Sequence, residues 1–171
     1  MKVTEAIRKR RSIRRFKPGV AVTAEQIKLL LEAAMLAPSA CNSRPWEFIV
    51  VQSREKLDRI REVHPYTGML ETASLAIIIC ALPDTQKEPI MSGYYPQDCG
   101  AATENILLQA VELGLGACWC GVYPKEDRIA DIQNLLEIEA NKLPFNIIAV
   151  GVPDEEPALR GHYEESKVSY I

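Results

Sequence analysis

Three apolar runs that contain no glycine or proline constrain the fold of this chain more than any other feature. They are Trp46–Val51 and residues 74–82 and 145–150, and all three are rich in β-branched or aromatic side chains. This composition predicts strands, the first of them mostly buried, because such side chains pack well on a pleated surface. We expect a fourth, shorter strand over residues 117–120.

Helical patterns fill the segments between these runs. Val3 and Ile7 give the first helix an apolar side, and Thr23 followed by Gln26 is an N-cap signature for the second, which ends before Pro38. The longest pattern begins at Asp98 with small residues, which let another helix approach closely. We predict helices over residues 3–10, 24–35, 54–63, 98–113 and 125–136.

The totals fit one compact, folded domain spanning residues 1–171. The length and an apolar content of 47% are ordinary for a globular chain. No apolar run reaches the ~20 residues that cross a bilayer, and the first residues do not lead into a signal-peptide core. We therefore expect a cytoplasmic protein with no membrane partner. Five cysteines match neither a disulfide framework nor a paired zinc motif, so free thiols and no metal are expected.

Positive charge is concentrated at the start of the chain. The first 17 residues hold eight of the 20 basic side chains and one of the 23 acidic ones. An extended backbone here would place Arg10, Ser12 and Arg14 on one side and Arg11 on the other. Guanidinium forks and hydroxyl groups bind phosphates well, so the pattern favours a nucleotide-like phosphate. A solvated basic segment or a nucleic-acid patch fits the charge equally well.

A polar loop joins the second helix to the first strand. Pro38 and Pro45 stiffen it, while Ser39, Asn42 and Ser43 present short polar groups from a fixed backbone. Such a loop can hydrogen-bond a polyol chain or the edge of a ring. An ordinary helix-to-strand connection is the alternative interpretation.

Glycines cluster around the predicted fourth strand. Gly114, Gly116 and Gly121 permit close approach of the backbone to a flat ligand and leave amide N–H groups exposed. Trp119 stands where a dinucleotide fingerprint needs its third glycine, and a strand follows instead of a helix, which disfavours a Rossmann dehydrogenase. A helix C-cap at Gly114 followed by a turn would explain the glycines without a ligand.

In order and spacing, these segments together resemble the nitroreductase family over nearly the whole chain. The segments are residues 10–14, 37–48 and 113–119, with Asp98 opening the long helix. The resemblance implies an α+β nitroreductase-like fold, with a central, mostly antiparallel sheet of four to five strands flanked by helices, in an intertwined homodimer. The proline- and glutamate-rich tail, residues 153–171, is either disordered or a C-terminal arm that reaches the partner subunit.

The resemblance also implies an FMN site between the subunits. Arg10 and Ser12 would bind the phosphate with Arg11 beside them, and Arg14 would lie near the pyrimidine edge of the flavin. Arg44, where relatives often have glutamine, adds a cation near the ribityl and phosphate region. The remaining implied contacts are Pro38, Ser39 and Asn42 from the other subunit, the backbone of Trp119, Cys120 and Gly121 near flavin N5, and Arg160 at the phosphate.

By this resemblance the chain is expected to be an FMN-dependent oxidoreductase. It would take a hydride from NADH or NADPH and pass it through flavin N5 to a nitroaromatic, a quinone or a related small electrophile in a ping-pong cycle. Arg14 would give electrostatic support, and no other side chain is assigned to catalysis. Reductive dehalogenation or flavin cleavage is the alternative on the same scaffold. A basic-arm nucleic-acid-binding protein is the non-enzymatic alternative, whereas the resemblance implies no nucleic-acid partner.

The chain departs from the family pattern in two further respects. It is short and lacks room for the extra helices that larger members place over the flavin, so its substrate range is poorly predicted. Ala158 also falls where relatives have a second C-terminal basic residue, which leaves the phosphate to Arg10, Arg14 and Arg160.

Overall fold

Four antiparallel strands form a sheet in the order β1-β2-β4-β3. The computed structural model describes residues 2–158, 161 and 163–171. The strands are β1 (Trp46–Val51), β2 (Leu75–Ala81), β3 (Gly116–Gly121) and β4 (Leu143–Gly151). The two central strands, β2 and β4, are buried almost throughout. The predicted α+β fold with an antiparallel sheet is therefore confirmed.

Helices cover both faces of this sheet. In the described residues they are α1 (Val3–Lys9), α2 (Ala24–Met35), α3 (Arg54–Val63), α4 (Tyr95–Glu112) and α5 (Glu126–Leu136). One apolar cluster joins α2 and α4 to the sheet, and a second joins α3 and α5 to its other face. The sheet thus forms the middle of three layers. No helix in the described part of the chain is both long and apolar enough to span a bilayer.

Local signals placed α2 and α4 well. Thr23 caps α2 and forms a reciprocal capping box with Gln26. The long helix α4 begins at Tyr95, ahead of the predicted Asp98, because Pro96 is well suited to a first turn that needs no intrahelical N–H bond. The small residues of α4 allow α2 to pack closely against it. Ala102 is fully buried, and Asn105 Nδ2 donates to the carbonyl of Ala33 in α2 at 2.9 Å.

Helix α1 and strand β1 are only partly buried. The predicted first helix forms, and its apolar residues Val3 and Ile7 are 72% and 56% exposed, so this side of the helix does not face the core of this chain. Strand β1 is less buried than its composition indicates, with only Trp46 and Val51 fully covered. The reason is its place at an edge of the sheet, where one side has no neighbouring strand.

The basic N-terminal segment packs on the other edge of the sheet. The Ile13 N–H donates to the carbonyl of Ala117 in β3 at 3.0 Å, and Ile13 and Phe16 are buried. Glycines make this approach possible. A Cβ added to Gly116 would lie 2.8 Å from Ile13 Cγ2, and one added to Gly151 would lie 2.9 Å from Phe16 Cδ1. Close packing on two glycines therefore fixes the position of the segment.

Substitution Gly116→Ala should destabilise the protein, because the new methyl group would overlap Ile13 and push the basic segment from β3. We expect a loss of about 1–3 kcal/mol in the free energy of unfolding, the usual cost of overpacking. Urea denaturation measures it. Gly68→Ala is the matched control, since a Cβ there would meet nothing within 4 Å. Equal stability of the two variants would contradict this account of Gly116.

Candidate functional site

Two cavities meet at Arg14 beside the open edge of β3. The first, which we call the arginine cavity, is about 400 Å³ and is lined by Arg10, Arg11, Ser12, Arg14, Glu155, Pro157 and Ala158. The second, which we call the strand cavity, is about 510 Å³ and is lined by Arg14, Tyr66, Gly68, Met69, Cys118, Trp119, Cys120 and Gly121. Because Arg14 borders both, they form one elongated candidate site with a cationic end.

Contacts within the chain hold the first two arginines of the site. Arg10 Nε lies 3.4 Å from a carboxylate oxygen of Glu104 in α4. Arg11 Nε donates to the carbonyl of Ala158 at 3.2 Å, and its Nη1 donates to backbone carbonyls at the end of α1. Arg11 therefore borders the arginine cavity together with Ser12, and the strict alternation predicted for an extended segment does not hold there.

Glu155 fixes the backbone at Arg14. Its carboxylate accepts the N–H groups of Arg14 and Arg15 at 2.5 and 3.2 Å. The bond from Arg14, followed by the bond and charge of Arg15, lowers the pKa of Glu155 from its ordinary value. The start of the C-terminal tail thus folds back on the basic segment of the same chain and orders the residue that joins the two cavities.

Backbone donors of β3 face the strand cavity. The carbonyl of Ala117 points away from β4, because it accepts the N–H of Ile13. Backbone groups of an antiparallel strand point alternately to its two sides, so Trp119 and Gly121 present their N–H groups at the same open edge. A Cβ added to Gly121 would meet nothing within 4 Å. This part of the edge is therefore accessible to a ligand.

Two thiols lie beside this edge. Cys118 and Cys120 are both buried on one side of β3, and all five cysteines are free, as the sequence predicts. A hydrogen bond from Cys120, together with the charge of Arg14 and a hydrogen bond from Ser12, lowers the pKa of Cys118 to about 7 against the opposing effect of burial. The pKa of Cys120 is raised by that same bond and by burial. Cys118 is the more acidic of the pair.

His64 is a residue to which the sequence analysis assigned no role. The side chain is only 1% exposed, and its Nε2 lies 3.0 Å from the carbonyl oxygen of Gly121. Nδ1 accepts the N–H of Tyr66 at 3.3 Å, so the proton of the neutral ring sits on Nε2 and is donated to Gly121. Burial is the main cause that lowers the pKa of His64, and the positive charge of Arg128 adds to it.

The loop between α2 and β1 is rigid and lies outside both cavities. Cys41, Asn42 and Arg44 have positive φ angles of 49°, 55° and 49°. Local bonds hold this strained shape: Ser39 Oγ accepts the N–H of Arg44 at 2.9 Å, and Asn42 Oδ1 accepts Arg44 Nε at 3.0 Å. Among the described residues, none from 38 to 44 lines the arginine or strand cavity.

The loop is also anchored to α4. The carboxylate of Asp98 accepts the N–H of Ala40 at 3.2 Å and Gln86 Nε2 at 2.7 Å. Asp98 is buried in the first turn of α4, where a carboxylate is stabilised by the unpaired N–H groups of the helix. The predicted residues Pro38, Ser39, Asn42 and Arg44 thus form a second, separate group.

The three glycines predicted to approach a ligand have different roles. Gly114, with φ 69°, ends α4 in a Schellman motif, in which the Leu115 N–H donates to the carbonyl of Ala110 at 2.8 Å. Gly116 makes room for Ile13, so it contacts the chain itself. Gly121 borders the strand cavity, whereas Gly114 and Gly116 border a different cavity of about 870 Å³ between α1, α4 and residues 153–158. The predicted phosphate ligand Arg160 lies outside the described residues.

Fold and cavities define an α+β protein with a cationic candidate site at the edge of its sheet. The sequence profile of the Nitroreductase family matches residues 7–64 and 61–152. A Methanothermobacter thermautotrophicus protein, provisionally named NADH dehydrogenase/NAD(P)H nitroreductase, is 46% identical over 98% of this chain and 86% of its own length. The chain belongs to the nitroreductase family.

Solved structures agree with this assignment. An FMN-dependent nitroreductase from Clostridium difficile superposes with a TM-score of 0.87 at 33% identity, covering 96% of each chain. A provisionally named nitroreductase from Desulfovibrio desulfuricans, solved in complex with FMN, gives a TM-score of 0.83 at 29% identity, covering 100% of this chain and 97% of its own.

The neutral state of His64 should make stability depend on pH. Because the pKa of His64 is lowered in the folded protein, the neutral ring contributes to the free energy of unfolding. This contribution is fully present above the ordinary pKa of 6.5 and is lost as the pH falls through the pKa of the folded protein. We expect the free energy of unfolding to fall more between about pH 7 and pH 5 in the wild type than in His64→Gln, which cannot titrate. Urea denaturation at both values tests this, and parallel losses would refute it.

Proposed function

We propose that this chain is an FMN-dependent oxidoreductase that uses NADH or NADPH to reduce nitroaromatics, quinones or related small electrophiles. The observation that carries the proposal is the meeting of the arginine and strand cavities at Arg14, which sets a cationic pocket beside a row of open backbone donors. FMN has a matching shape, with a phosphate at one end and a planar ring with acceptor atoms at the other. Family membership and the FMN-dependent relatives support the same conclusion.

The arginine cavity fits a phosphate. Arg10, Arg11 and Arg14 border it with the hydroxyl residue Ser12, and Glu155 is the one acid among its described lining residues. A phosphate would exchange the weak ion pair of Arg10 with Glu104, which is partly exposed, for charge-assisted bonds. We assign the phosphate to Arg10, Arg11 and Ser12, with Arg160 as a further ligand.

The strand cavity fits a planar ring. The edge N–H groups of Trp119 and Gly121 would donate to acceptor atoms of the ring. Cys120, between them, pairs with Ile147 of β4 and so keeps the strand in place. The buried side chains of Cys118 and Cys120 line this cavity and make its wall on that face of β3 largely apolar. An apolar wall would exclude water from a bound ring. When bound, FMN would supply the hydride chemistry, and the protein supplies orientation and charge. Arg14 would stabilise the negative charge that the reduced ring carries.

The site is proposed to be completed by a second copy of this chain. Pro38, Ser39, Asn42 and Arg44 form a rigid polar loop that borders neither cavity of its own chain, as expected of residues that serve the partner's site. The exposed side of α1, with Val3 and Ile7, gives apolar surface for such a contact. Residues 153–158 pack on the basic segment of their own chain, so the predicted C-terminal arm of this single domain would begin beyond them and extend toward the partner.

Purified protein should be yellow, or become so on reconstitution with FMN, and should bleach when NADH or NADPH is added without oxygen. Steady-state assays against nitroaromatics, quinones and halophenols then separate nitroreduction from dehalogenation. A colourless protein that does not take up FMN and binds DNA or RNA with strongly salt-dependent affinity would instead establish the basic-arm alternative.

Gly121→Ala should weaken FMN binding while leaving the fold intact, because Gly121 lines the strand cavity and an added methyl group would stand beside the proposed ring without meeting any atom of the described chain within 4 Å. We expect an affinity loss of about tenfold, the effect of about 1.4 kcal/mol, measured by fluorescence titration of the apoprotein. Urea denaturation of the apoprotein is the control and should match the wild type. Unchanged FMN affinity would argue against a ring at this edge.

Arg14→Ala should lower the reduction potential of bound FMN, since the cation that favours the reduced, anionic ring is lost. A tenfold change in relative stabilisation corresponds to about 30 mV for a two-electron couple. Arg15→Ala is the matched control, because Arg15 is 73% exposed and lines neither cavity. A potential that shifts equally in both variants, or in neither, would remove Arg14 from the proposed role.

A further inference from the structure

We propose that His64 is a positioning residue, whose imidazole fixes the carbonyl of Gly121 and so directs the Gly121 N–H into the strand cavity. The inference deepens the proposed function and rests on it, because the cofactor is the proposed recipient of that N–H. It concerns a side chain that touches no ligand itself and acts through the backbone of β3.

Gly121 needs an external constraint. It is the last residue of β3 that pairs with β4, opposite Asn146, and it is exposed and has no side chain, so its backbone angles are less restricted than those within the strand. A hydrogen-bond donor in a binding site is effective only when its direction is set before the ligand arrives. The bond from His64 to the adjoining carbonyl provides this constraint, since N–H and C=O of one strand residue point to the same side.

The imidazole is well suited to fix a carbonyl. It is fully buried at the end of α3, and both ring nitrogens are bonded, Nδ1 to the Tyr66 N–H at 3.3 Å and Nε2 to Gly121 at 3.0 Å. The bond at Nδ1 selects the tautomer that donates from Nε2. A flexible donor would lose more entropy in making the same contact.

The contact also joins the two walls of the strand cavity. Tyr66 and Met69 belong to the wall that follows α3, and Cys120 and Gly121 belong to β3. A second bond joins the same two walls, because Cys120 Sγ donates to the carbonyl of Tyr66 at 3.2 Å.

Arg128 of α5 reinforces this junction. Its guanidinium lies 5.1 Å from the centre of the Tyr66 ring, and its Nη1 donates to Gly121 O at 3.4 Å. Arg128 is also the charged group whose field acts on His64. The short, buried bond from His64 is the stronger of the two ties on the Gly121 carbonyl.

Three variants separate positioning from general packing. His64→Leu removes both ring bonds, while the amide of His64→Gln can replace them, with nitrogen to Gly121 and oxygen to Tyr66. Thr67→Val is the matched control: its hydroxyl is equally buried and bonds the carbonyls of Ile60 and His64, but it does not contact Gly121. A merely structural role of His64 predicts that His64→Leu and Thr67→Val behave alike.

Each variant is measured by FMN titration, by the reduction potential of the bound flavin and by hydrogen exchange of the Val122 amide in the apoprotein, which shares a peptide group with the Gly121 carbonyl and donates to Phe145 O. For His64→Leu we expect about tenfold weaker FMN binding, the size of effect that the loss of one hydrogen bond causes. We also expect a potential lower by about 30 mV and faster exchange of the Val122 amide. His64→Gln and Thr67→Val should stay within about threefold of the wild type in affinity.

The outcomes distinguish this inference from the proposed function. Wild-type protein that does not bind FMN overturns the proposed function, and exchange of the Val122 amide still tests the bond between His64 and the Gly121 carbonyl. Wild-type protein that binds FMN, beside a His64→Leu variant with unchanged affinity, potential and exchange, overturns the positioning role alone. Equal changes in His64→Leu and Thr67→Val do the same.

A pH series keeps the test valid if His64→Leu does not fold. Protonated His64 can still donate from Nε2, but its Nδ1–H would then face the Tyr66 N–H and displace the ring from Gly121. FMN affinity of the wild type should therefore fall more steeply between about pH 8 and pH 5 than that of His64→Gln. Titration of the FMN phosphate affects both proteins equally and cancels in the comparison. Identical pH profiles would overturn the inference.

Discussion

The contact between the basic segment and the edge of β3 is the constraint on which the rest of the site depends. An edge strand presents unpaired N–H and C=O groups, which soluble proteins usually cover. Here the segment that begins at Ser12 pairs with β3 only at Ala117, and the strand beyond it stays open. This short contact at Ala117 anchors the arginines beside β3. Because it does not extend to Trp119 and Gly121, their backbone N–H groups stay unpaired within the described residues.

Preorganisation explains the acidic partners of the basic segment. Glu104 and Glu155 reduce its net charge, yet they hold Arg10 and the backbone of Arg14 beside the cavities before any ligand is present. Ordering long side chains in advance lowers the entropy lost on binding. Cys118 responds to the same field, since Arg14 helps to lower its pKa. The cationic end thus affects both the ligand space and the side chains beneath it.

Sequence alone was sufficient for features set by local patterns. The helices, the strands and the Thr23 cap follow from periodicity and capping chemistry within a few residues. Features that depend on contacts between residues far apart in the chain could not be predicted from the sequence. His64 bonds a carbonyl 57 residues away, and Gly116 is required by Ile13, so neither role has a local signal. The exposed apolar side of α1 shows a limit of another kind, because periodicity marks an apolar side without showing what covers it.

In β3, different groups would orient a bound ring and set the polarity around it. Cys118 and Cys120 point to one face of the sheet and Trp119 to the other, where its ring lies 6.2 Å from that of Phe145. The donors toward the cavity are backbone groups, and their direction depends on strand pairing and on the tie at Gly121. Side chains of β3 can therefore change the polarity around a bound ring without moving the groups that orient it.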